Sequence, residues 1–196
     1  AKQVVEIQVP DSWKSCPDEG LFTPEVKDGR ADVVAFVKNI QSKVNSQEGN
    51  NLPVSAFVDY ADGSTPSGSA EYEKRGIAVD IPVWKSENCV QCNRCAYVCP
   101  HAVIRPVALT EEELAKAPEG TEAIDMIGMP GLKFTMTVSA YDCTGCGSCV
   151  NVCPGKKGEK ALVMENMEAN AGSQKAFDFG REIEVKPEVV AKFKPA

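Results

Sequence analysis

Residues 89–100 read CVQCNRCAYVCP, and residues 143–154 read CTGCGSCVNVCP. Both follow the pattern C-x2-C-x2-C-x3-C-P, and each cysteine of the first run has a counterpart 54 residues later, as residue 89 has in residue 143. This is the bacterial pattern for two [4Fe–4S] clusters, in which the fourth cysteine of each run ligates the cluster of the other run. It predicts cluster 1 bound by Cys89, Cys92, Cys95 and Cys153, and cluster 2 bound by Cys143, Cys146, Cys149 and Cys99.

The spacing of the cysteines has a stereochemical reason. Two-residue gaps let one tight loop bring three thiolates to one cubane, whereas the step to the fourth cysteine is about one helical turn, a rise of about 6 Å. Pro100 and Pro154 disfavour α-helical angles at the cysteine before them. The fourth sulfur is therefore carried away from its own loop. In the second run, Gly145 and Gly147 tolerate left-handed backbone angles and let main-chain N–H groups approach sulfur.

Two other uses of clustered cysteines fit the pattern less well. A structural zinc site uses paired C-x2-C knuckles, and zinc gives no reason for a third cysteine two residues further on or for the Cys-Pro ending. A disulfide framework would use an even number of cysteines, whereas this chain has nine, eight of them in the two runs. The ninth, Cys16, has no motif around it, and we interpret it as a buried, unreactive thiol.

The composition is that of an ordinary globular protein. The chain has 196 residues, 43% hydrophobic and 25% charged, which allows one to two domains, and no apolar run approaches the roughly 20 residues of a membrane span. A net charge of −7 argues against nucleic acid, which needs clustered lysine and arginine. It suits steering toward a cationic redox partner, although solubility alone explains it equally well. No targeting segment is recognisable, so we expect a cytoplasmic chain that is a piece of something longer.

Residues 1–84 form the first predicted region. Residues 1–30 are interpreted as an extended arm, and one amphipathic helix is predicted over about residues 32–46, followed by irregular chain from residue 53 to residue 75. The apolar stripe of that helix is predicted to be packing surface, and its members recur at three- and four-residue steps: Val33, Phe36, Val37, Ile40 and Val44.

Each cysteine run lies between two strand patterns. Residues 76–84 and 132–138 alternate apolar and polar, and the second is predicted to be a half-buried strand. Residues 102–109 and 161–164 are the strands that follow, and Pro106 predicts an edge position for the former. The sequence therefore predicts an α+β fold, a bacterial 2[4Fe–4S] ferredoxin-like core with pseudo-twofold halves of strand, cysteine loop, helical turn and strand.

The predicted dicluster domain covers residues 85–168, with an insertion of helix and loop at residues 110–131. Thr110 and Glu113 have the spacing of a capping box, which predicts a short helix. Glycine and proline then predict a loop over the rest of the insertion. Residues 169–196 are polar with isolated phenylalanines and are interpreted as a C-terminal tail or strap.

The segments around the cysteine runs resemble the two-cluster ferredoxin domain of single-chain pyruvate:ferredoxin (flavodoxin) oxidoreductases. The cysteine runs alone fit any two-cluster ferredoxin, whereas the flanking segments are far more specific. The resemblance extends over about residues 4–164 and is weaker in the tail. It is carried by LPVSAF (52–57), YEKRGIAVDIPVW (72–84), CPHAVIRPVALTEEE (99–113), LKFTMTVSAYDCTGCGSCVNVCP (132–154) and EKALVM (159–164).

The resemblance implies the electron exit of a large enzyme. In that family pyruvate is decarboxylated on thiamine diphosphate with Mg, and the acetyl group passes to coenzyme A. Electrons leave through a third cluster near the thiamine, then through two clusters in this domain, to an external ferredoxin or flavodoxin. This chain shows no thiamine or magnesium motif, so we expect no catalytic residue in it and no turnover of pyruvate by the chain alone.

Two alternatives to this interpretation remain at the sequence level. The chain could be a free-standing 2[4Fe–4S] electron carrier or the iron–sulfur subunit of another redox enzyme, although a minimal carrier has no use for the 88 residues before Cys89. A structural metal module is the second alternative. Colour separates it from the others, because cubanes make a protein brown and zinc leaves it colourless.

Three residues beside the cysteines are candidates for tuning the clusters. His101 is predicted to pack and to donate a hydrogen bond rather than to ligate. Arg94 and Lys156 lie near cysteines of cluster 1, and a nearby cation favours the reduced, more negative cubane, so cluster 1 is predicted to have the higher potential. The alternative for Arg94 is that it points to solvent.

Overall fold

The computed structural model describes residues 9, 11, 26 and 29–192. Contacts divide the chain into two compact units, Ala1–Lys74 and Arg75–Ala196. The boundary expected from the sequence lies at residue 84. The structure moves it ten residues earlier, because the strand at Asp80–Trp84 pairs with a strand of the second unit. No helix among the described residues is long and apolar enough to cross a membrane.

The first unit is organised around the predicted amphipathic helix. The helix runs as α1 (Ala31–Phe36), a π-helical turn (Val37–Gln41) and α2 (Ser42–Asn45), in close agreement with the prediction. Four of the five stripe residues are buried. Val44 is 48% exposed, so its prediction was wrong. Val44 lies against Gly49, which has no side chain to cover it.

The remainder of the first unit covers this helix. Tyr60 packs edge-on against Phe36 with ring centroids 4.9 Å apart, and Leu52 and Tyr72 lie against the same cluster. The segment predicted to be irregular, residues 53–75, contains 3-10 helices at Val54–Tyr60 and Ser69–Tyr72. A shorter 3-10 turn at Gly49–Asn51 precedes it. Cys16 and most of the predicted N-terminal arm lie outside the described residues, which include only residues 9, 11, 26, 29 and 30 of the arm.

The second unit contains five strands and six α-helices within the described residues. In chain order they are β1 (Asp80–Trp84), α3 (Arg94–Val98), β2 (Ile104–Leu109), α4 (Glu111–Leu114), β3 (Ile124–Asp125), β4 (Lys133–Val138), α5 (Ser148–Val152), β5 (Leu162–Asn166), α6 (Met167–Asn170), α7 (Ser173–Glu182) and α8 (Pro187–Lys192).

The strands form two antiparallel sheets. β1 pairs with β5, with Trp84 opposite Leu162, and β2 pairs with β4, with Ile104 opposite Val138. The first strand of the unit therefore pairs with the last one. β2 lies at the edge of its sheet, as Pro106 predicted. β1 is four residues shorter than predicted, because the chain turns at Gly76, which has a φ of +59°.

The insertion between the two halves contains more structure than predicted. Thr110 and Glu113 form the predicted capping box at the start of α4. The predicted loop also contains β3, which pairs with β4 through Ile124 and Asp125. A two-residue strand cannot be recognised from alternation, since its pairing partner decides its conformation.

β4 is buried on both faces, so the half-buried prediction was wrong. Thr135 and Thr137 are each 3% exposed, because α7 packs across the face that the sequence analysis left to solvent. Gly180 permits this approach, since a Cβ there would lie 3.0 Å from Val107 Cγ2 and 3.3 Å from Thr137 Cγ2.

The C-terminal segment is helical rather than a simple tail. Phe177 of α7 is buried beneath the guanidinium of Arg105, which lies 5.2 Å from its ring centroid. Gln174 is also buried, and its Oε1 accepts a hydrogen bond from Tyr141 N–H and lies 3.0 Å from the Ser139 hydroxyl. The segment looked featureless in sequence because its helices present only a narrow apolar stripe.

We expect Gly155→Ala to lower the midpoint of thermal unfolding more than Gly158→Ala. Both glycines have left-handed φ values, +61° and +91°, so both substitutions cost about 1–2 kcal/mol of backbone strain. A Cβ at Gly155 would also lie 1.9 Å from Glu159 O, whereas a Cβ at Gly158 meets nothing within 4 Å. Equal midpoints for the two variants would contradict this account of the turn.

We also expect Lys186→Met to lower stability in a pH-dependent way. Burial raises the pKa of Glu113, but the hydrogen bonds from Lys186 and from Thr110 N–H outweigh burial, so the pKa lies below its ordinary value. The Lys186 Nζ–Glu113 Oε2 distance is 2.7 Å. A carboxylate with a lowered folded pKa stabilises the fold above its unfolded pKa and loses that contribution as pH falls.

The loss should be about 0.5–1 kcal/mol at pH 7 and should shrink as pH falls through the folded pKa of Glu113. Thermal midpoints of wild type and variant between pH 7 and pH 3 measure it, a range that extends below the ordinary pKa of a glutamate. Lys175→Met removes an exposed lysine of the same segment and is the control. A difference that stays constant with pH would contradict the assignment.

Candidate iron–sulfur sites

Each cysteine loop contains two residues with left-handed backbone angles. In the first loop they are Gln91 and Asn93, with φ of +55° and +56°, and in the second they are Gly145 and Gly147, with φ of +71° and +72°. The second residue of each pair immediately precedes the short helix, α3 or α5. The turns wind the chain around three sulfurs. The first loop adopts them with side chains present, at a cost of about 1–2 kcal/mol per residue.

The fourth cysteine of each run has extended backbone angles, as the following proline predicted. Cys99 has φ −70° and ψ 113°, and Cys153 has φ −67° and ψ 117°. Each helix therefore ends at its fourth cysteine, and the chain leaves its own loop there.

The structure brings each set of three cysteines together with the fourth cysteine of the other run. Cys153 joins the first run around one cavity, and Cys99 joins the second run around another. The first cavity is lined by Cys89, Cys92, Cys95 and Cys153. The second cavity is lined by Cys99, Cys143, Cys146 and Cys149.

Backbone N–H groups point at three of these sulfurs. Gln91 N–H donates to Cys89 Sγ, Gly145 N–H donates to Cys143 Sγ, and Ala161 N–H donates to Cys153 Sγ, each over 3.4 Å. Such donors stabilise negative charge on sulfur and are the usual means by which a protein supports a thiolate-bound cluster.

Burial controls the protonation of the free thiols. It raises the pKa of Cys95 to about 12 and that of Cys149 to about 11, and it also raises the pKa of Cys143. The pKa of Cys146 is lowered, first by the backbone N–H of Ser148 and then by its hydroxyl. The inner thiols are therefore neutral at pH 7 until a metal displaces their protons.

The donor set fits iron–sulfur cubanes. All eight run cysteines are unpaired by disulfides, and four sulfurs surround each cavity. Among residues 29–192 and the three described residues before them, no group of three or more His, Cys, Asp or Glu side chains is arranged to hold a single metal ion. Four thiolates around a cavity, with N–H donors at sulfur, are what a [4Fe–4S] cluster requires.

The three candidate tuning residues have different positions. His101 borders the second cavity and is otherwise exposed. Arg94 is exposed and borders neither of the two cysteine cavities. Lys156 is exposed and forms a backbone bridge with Glu159.

Sequence reasoning missed the apolar walls of both cavities. Trp84, Met136 and Leu162 line the first cavity, and the second is lined by Pro82, Ile104 and Met164 among others. The strand patterns predicted that such residues are buried. Only the pairing of β1 with β5 and of β2 with β4 shows which cavity each one borders.

Gln91 is a further residue that the sequence analysis did not single out. Its side chain donates from Nε2 to Asp125 O over 2.7 Å and accepts at Oε1 from Ile127 N–H over 2.9 Å. The amide thus connects the first cysteine loop to the insertion. The corresponding residue of the second run, Gly145, has no side chain for such a connection.

The comparisons with known proteins agree with this geometry. Residues 88–157 match a family described as a 4Fe-4S dicluster domain, and residues 23–78 match a domain of unknown function named EKR. The second unit therefore contains a small mixed helix–strand domain of the ferredoxin-like dicluster class.

The relatives give a more specific assignment. The chain is 41% identical to a pyruvate-flavodoxin oxidoreductase of Enterobacter agglomerans over 98% of its own length, and 43% identical to a pyruvate:ferredoxin oxidoreductase of Moorella thermoacetica over 97%. It is 41% identical over 76% of its length to a mitochondrial pyruvate dehydrogenase [NADP(+)] of Euglena gracilis. The chain thus contains a two-cluster ferredoxin domain of the kind found in pyruvate:ferredoxin and pyruvate-flavodoxin oxidoreductases. It spans 16% of the length of the first two relatives and 8% of the third.

We expect Gln91→Gly to increase hydrogen exchange at Ile127 N–H. The substitution removes both hydrogen bonds to the insertion, although it relieves the left-handed strain at residue 91. Gln91→Glu is the matched control, because it keeps an acceptor for Ile127 N–H and loses the donor to Asp125 O. Mass-spectrometric exchange of residues 124–127 should be fastest in the glycine variant. Unchanged exchange there would show that the amide does not hold the insertion.

Proposed function

We propose that this chain carries electrons, one at a time, between two [4Fe–4S] clusters as part of a pyruvate:ferredoxin (flavodoxin) oxidoreductase. Cluster 1 is held by the cysteines of the first cavity and cluster 2 by those of the second. The observation that carries the proposal is the exchange of Cys99 and Cys153 between the two sites. Because each site takes a cysteine from both runs, this exchange supports two neighbouring clusters within one unit.

The proposal includes a pseudo-twofold core with an insertion. The order β1, α3, β2 in the first half corresponds to β4, α5, β5 in the second. A twofold axis that exchanges the halves also exchanges the β1–β5 pair with the β4–β2 pair. α3 packs against α5 at the centre of this arrangement. The insertion at residues 110–131 then lies between the halves and has no counterpart.

The protein's contribution is ligation, burial and hydrogen bonding. Bound cubanes supply one-electron chemistry. The chain supplies eight thiolates, apolar walls that exclude water, and N–H donors at Cys89, Cys143 and Cys153. No protein acid, base or nucleophile takes part.

Each site reaches the surface at one cysteine. Cys92 is the exposed ligand of the first set, and Cys146 is the exposed ligand of the second. The other ligands are buried or partly buried. Cys92 and Cys146 are therefore the ligands through which each cluster would exchange electrons with a partner at the surface.

The parent enzyme supplies what this chain lacks. Thiamine diphosphate, Mg and a third cluster would belong to the remainder of the enzyme, which would catalyse the interconversion of pyruvate and acetyl-CoA in the cytoplasm. The names of the relatives specify flavodoxin, ferredoxin or NADP(+). We expect an external ferredoxin or flavodoxin as the partner here. The near-complete match to a segment of these relatives gives no support to a free-standing carrier.

Iron content and EPR of double variants test the crossed ligation. Cys89→Ser with Cys153→Ser removes two ligands of one site, so about four of eight irons and one EPR signal should remain. Cys89→Ser with Cys99→Ser removes one ligand from each site, and both signals should be altered. The reduced wild type should show eight irons and spin coupling between two nearby clusters. Cys16→Ser, outside both runs, should match wild type.

If each run closed its own site, the two double variants would exchange their results. A colourless protein with bound zinc would contradict the electron-transfer proposal itself.

A further inference from the structure

Two buried polar atoms at the first cavity have no hydrogen-bond partner among the described residues. They are Nε1 of Trp84 and Oδ1 of Asn93. Both residues line the cavity formed by Cys89, Cys92, Cys95 and Cys153. Trp84 is only 8% exposed. Leaving a buried polar atom without a partner lowers stability by about 1–3 kcal/mol. Two such atoms at one cavity therefore indicate that a bound group satisfies them.

The chemistry of these two side chains points to an acceptor in the cavity. An indole nitrogen only donates. A half-turn of the Asn93 amide exchanges Oδ1 and Nδ2, so the same buried position can present N–H donors. A cluster with thiolate ligands is negatively charged, and N–H donors are the partners that it accepts. Oδ1 facing that charge would be repelled.

The second cavity has no equivalent of this pair. The residues 54 positions later are Val138 in place of Trp84 and Gly147 in place of Asn93. Gly147 lines the second cavity, as Asn93 lines the first. Valine and glycine have no polar side-chain atom.

The polar side chains that do line the second cavity are His101, Thr144 and Ser148. The first two are exposed, and the Ser148 hydroxyl lies 3.5 Å from the exposed ligand Cys146. The two sites therefore match in cysteine spacing and backbone shape, but within the described part of the chain only the first has unpartnered buried side-chain atoms.

We propose that the Trp84 indole N–H and the Asn93 side-chain amide donate hydrogen bonds to cluster 1, which makes it the higher-potential cluster of the two. The assignment rests on the proposed function, since it needs a cubane in the first cavity. Hydrogen bonds to cluster sulfur stabilise the more negative, reduced form and raise the reduction potential. Electrons then come to rest on cluster 1 rather than on cluster 2 when one electron is available.

This explanation of the difference in reduction potential between the two clusters does not depend on exposed cations. Arg94 and Lys156 are both exposed, and charges in solvent are screened. Trp84 and Asn93 act in the buried interior, where a hydrogen bond is electrostatically stronger.

Three single variants test the proposal. Trp84→Phe removes the N–H and keeps an aromatic ring against Phe134, whose centroid lies 6.1 Å from that of Trp84. Asn93→Gly gives the first loop the residue found in the second and relieves a left-handed φ of +56°. Gly147→Asn places the amide at the second cavity, where a Cβ meets nothing within 4 Å and asparagine tolerates the left-handed backbone.

EPR-monitored redox titration of the whole chain gives the potential of each cluster. Trp84→Phe and Asn93→Gly should each lower the reduction equilibrium constant of cluster 1 by about tenfold, which is about 59 mV for one electron, and leave cluster 2 unchanged. Gly147→Asn should raise the potential of cluster 2 and leave cluster 1 unchanged. The reciprocal shift in the two sites is a result that general loosening of the fold would not produce.

Iron content, measured first, distinguishes failure of the proposed function from failure of the present inference. Fewer than eight irons in the wild-type protein would contradict the proposed function. Eight irons with unchanged cluster 1 potentials in both Trp84→Phe and Asn93→Gly would overturn the present inference alone. If Trp84 Nε1 instead meets water in the larger cavity that it also borders, Trp84→Phe leaves the potential unchanged and overturns the assignment for that residue.

Discussion

The placement of Cys99 with the second run and of Cys153 with the first is the constraint on which the second unit depends. Each site is complete only when both halves are folded and in contact. α3 must pack on α5, and the first strand must pair with the last, before four sulfurs surround either cavity. These contacts are long-range in sequence, so the unit cannot be assembled one half at a time.

The same constraint makes the core and the sites one structure. The buried residues between the sheets are Ile81, Phe134, Leu162 and their neighbours, and the cysteines pack directly against them. A domain of this size buries a small apolar core and gains limited stability from it. Metal binding would therefore contribute to folding, and it must displace the protons that the raised pKa values hold on Cys95 and Cys149.

The two halves are alike in backbone and different in side chains. Both loops turn through two left-handed residues, but glycines do so in the second half, whereas Gln91 and Asn93 accept the strain in the first. Each of these side chains has a use that glycine could not supply. Gln91 connects the loop to the insertion, and Asn93 carries a buried amide to the cavity. The two copies of the cysteine motif therefore have the same backbone turns but different side chains around their cavities.

The sequence by itself determined the features that depend on local spacing. The two cysteine runs contain the eight cysteines that line the two cavities. The prolines predicted the extended backbone at the fourth cysteines, and the capping box predicted α4. The resemblance of the flanking segments predicted the class of relative, which the comparisons confirmed. Each of these signals lies within a few residues of the feature that it specifies.

Only the tertiary structure decided what depends on distant partners. Residues 173–182 cover the second face of β4, and no periodicity in β4 could show this, because burial of Thr135 and Thr137 depends on a helix more than 30 residues away. β3 exists because β4 offers a free edge to Ile124 and Asp125. The unpartnered atoms of Trp84 and Asn93 became visible only when both were placed at one cavity. Ligand spacing and helix caps depend on residues that are adjacent in sequence, whereas burial and strand pairing depend on contacts between distant parts of the folded chain.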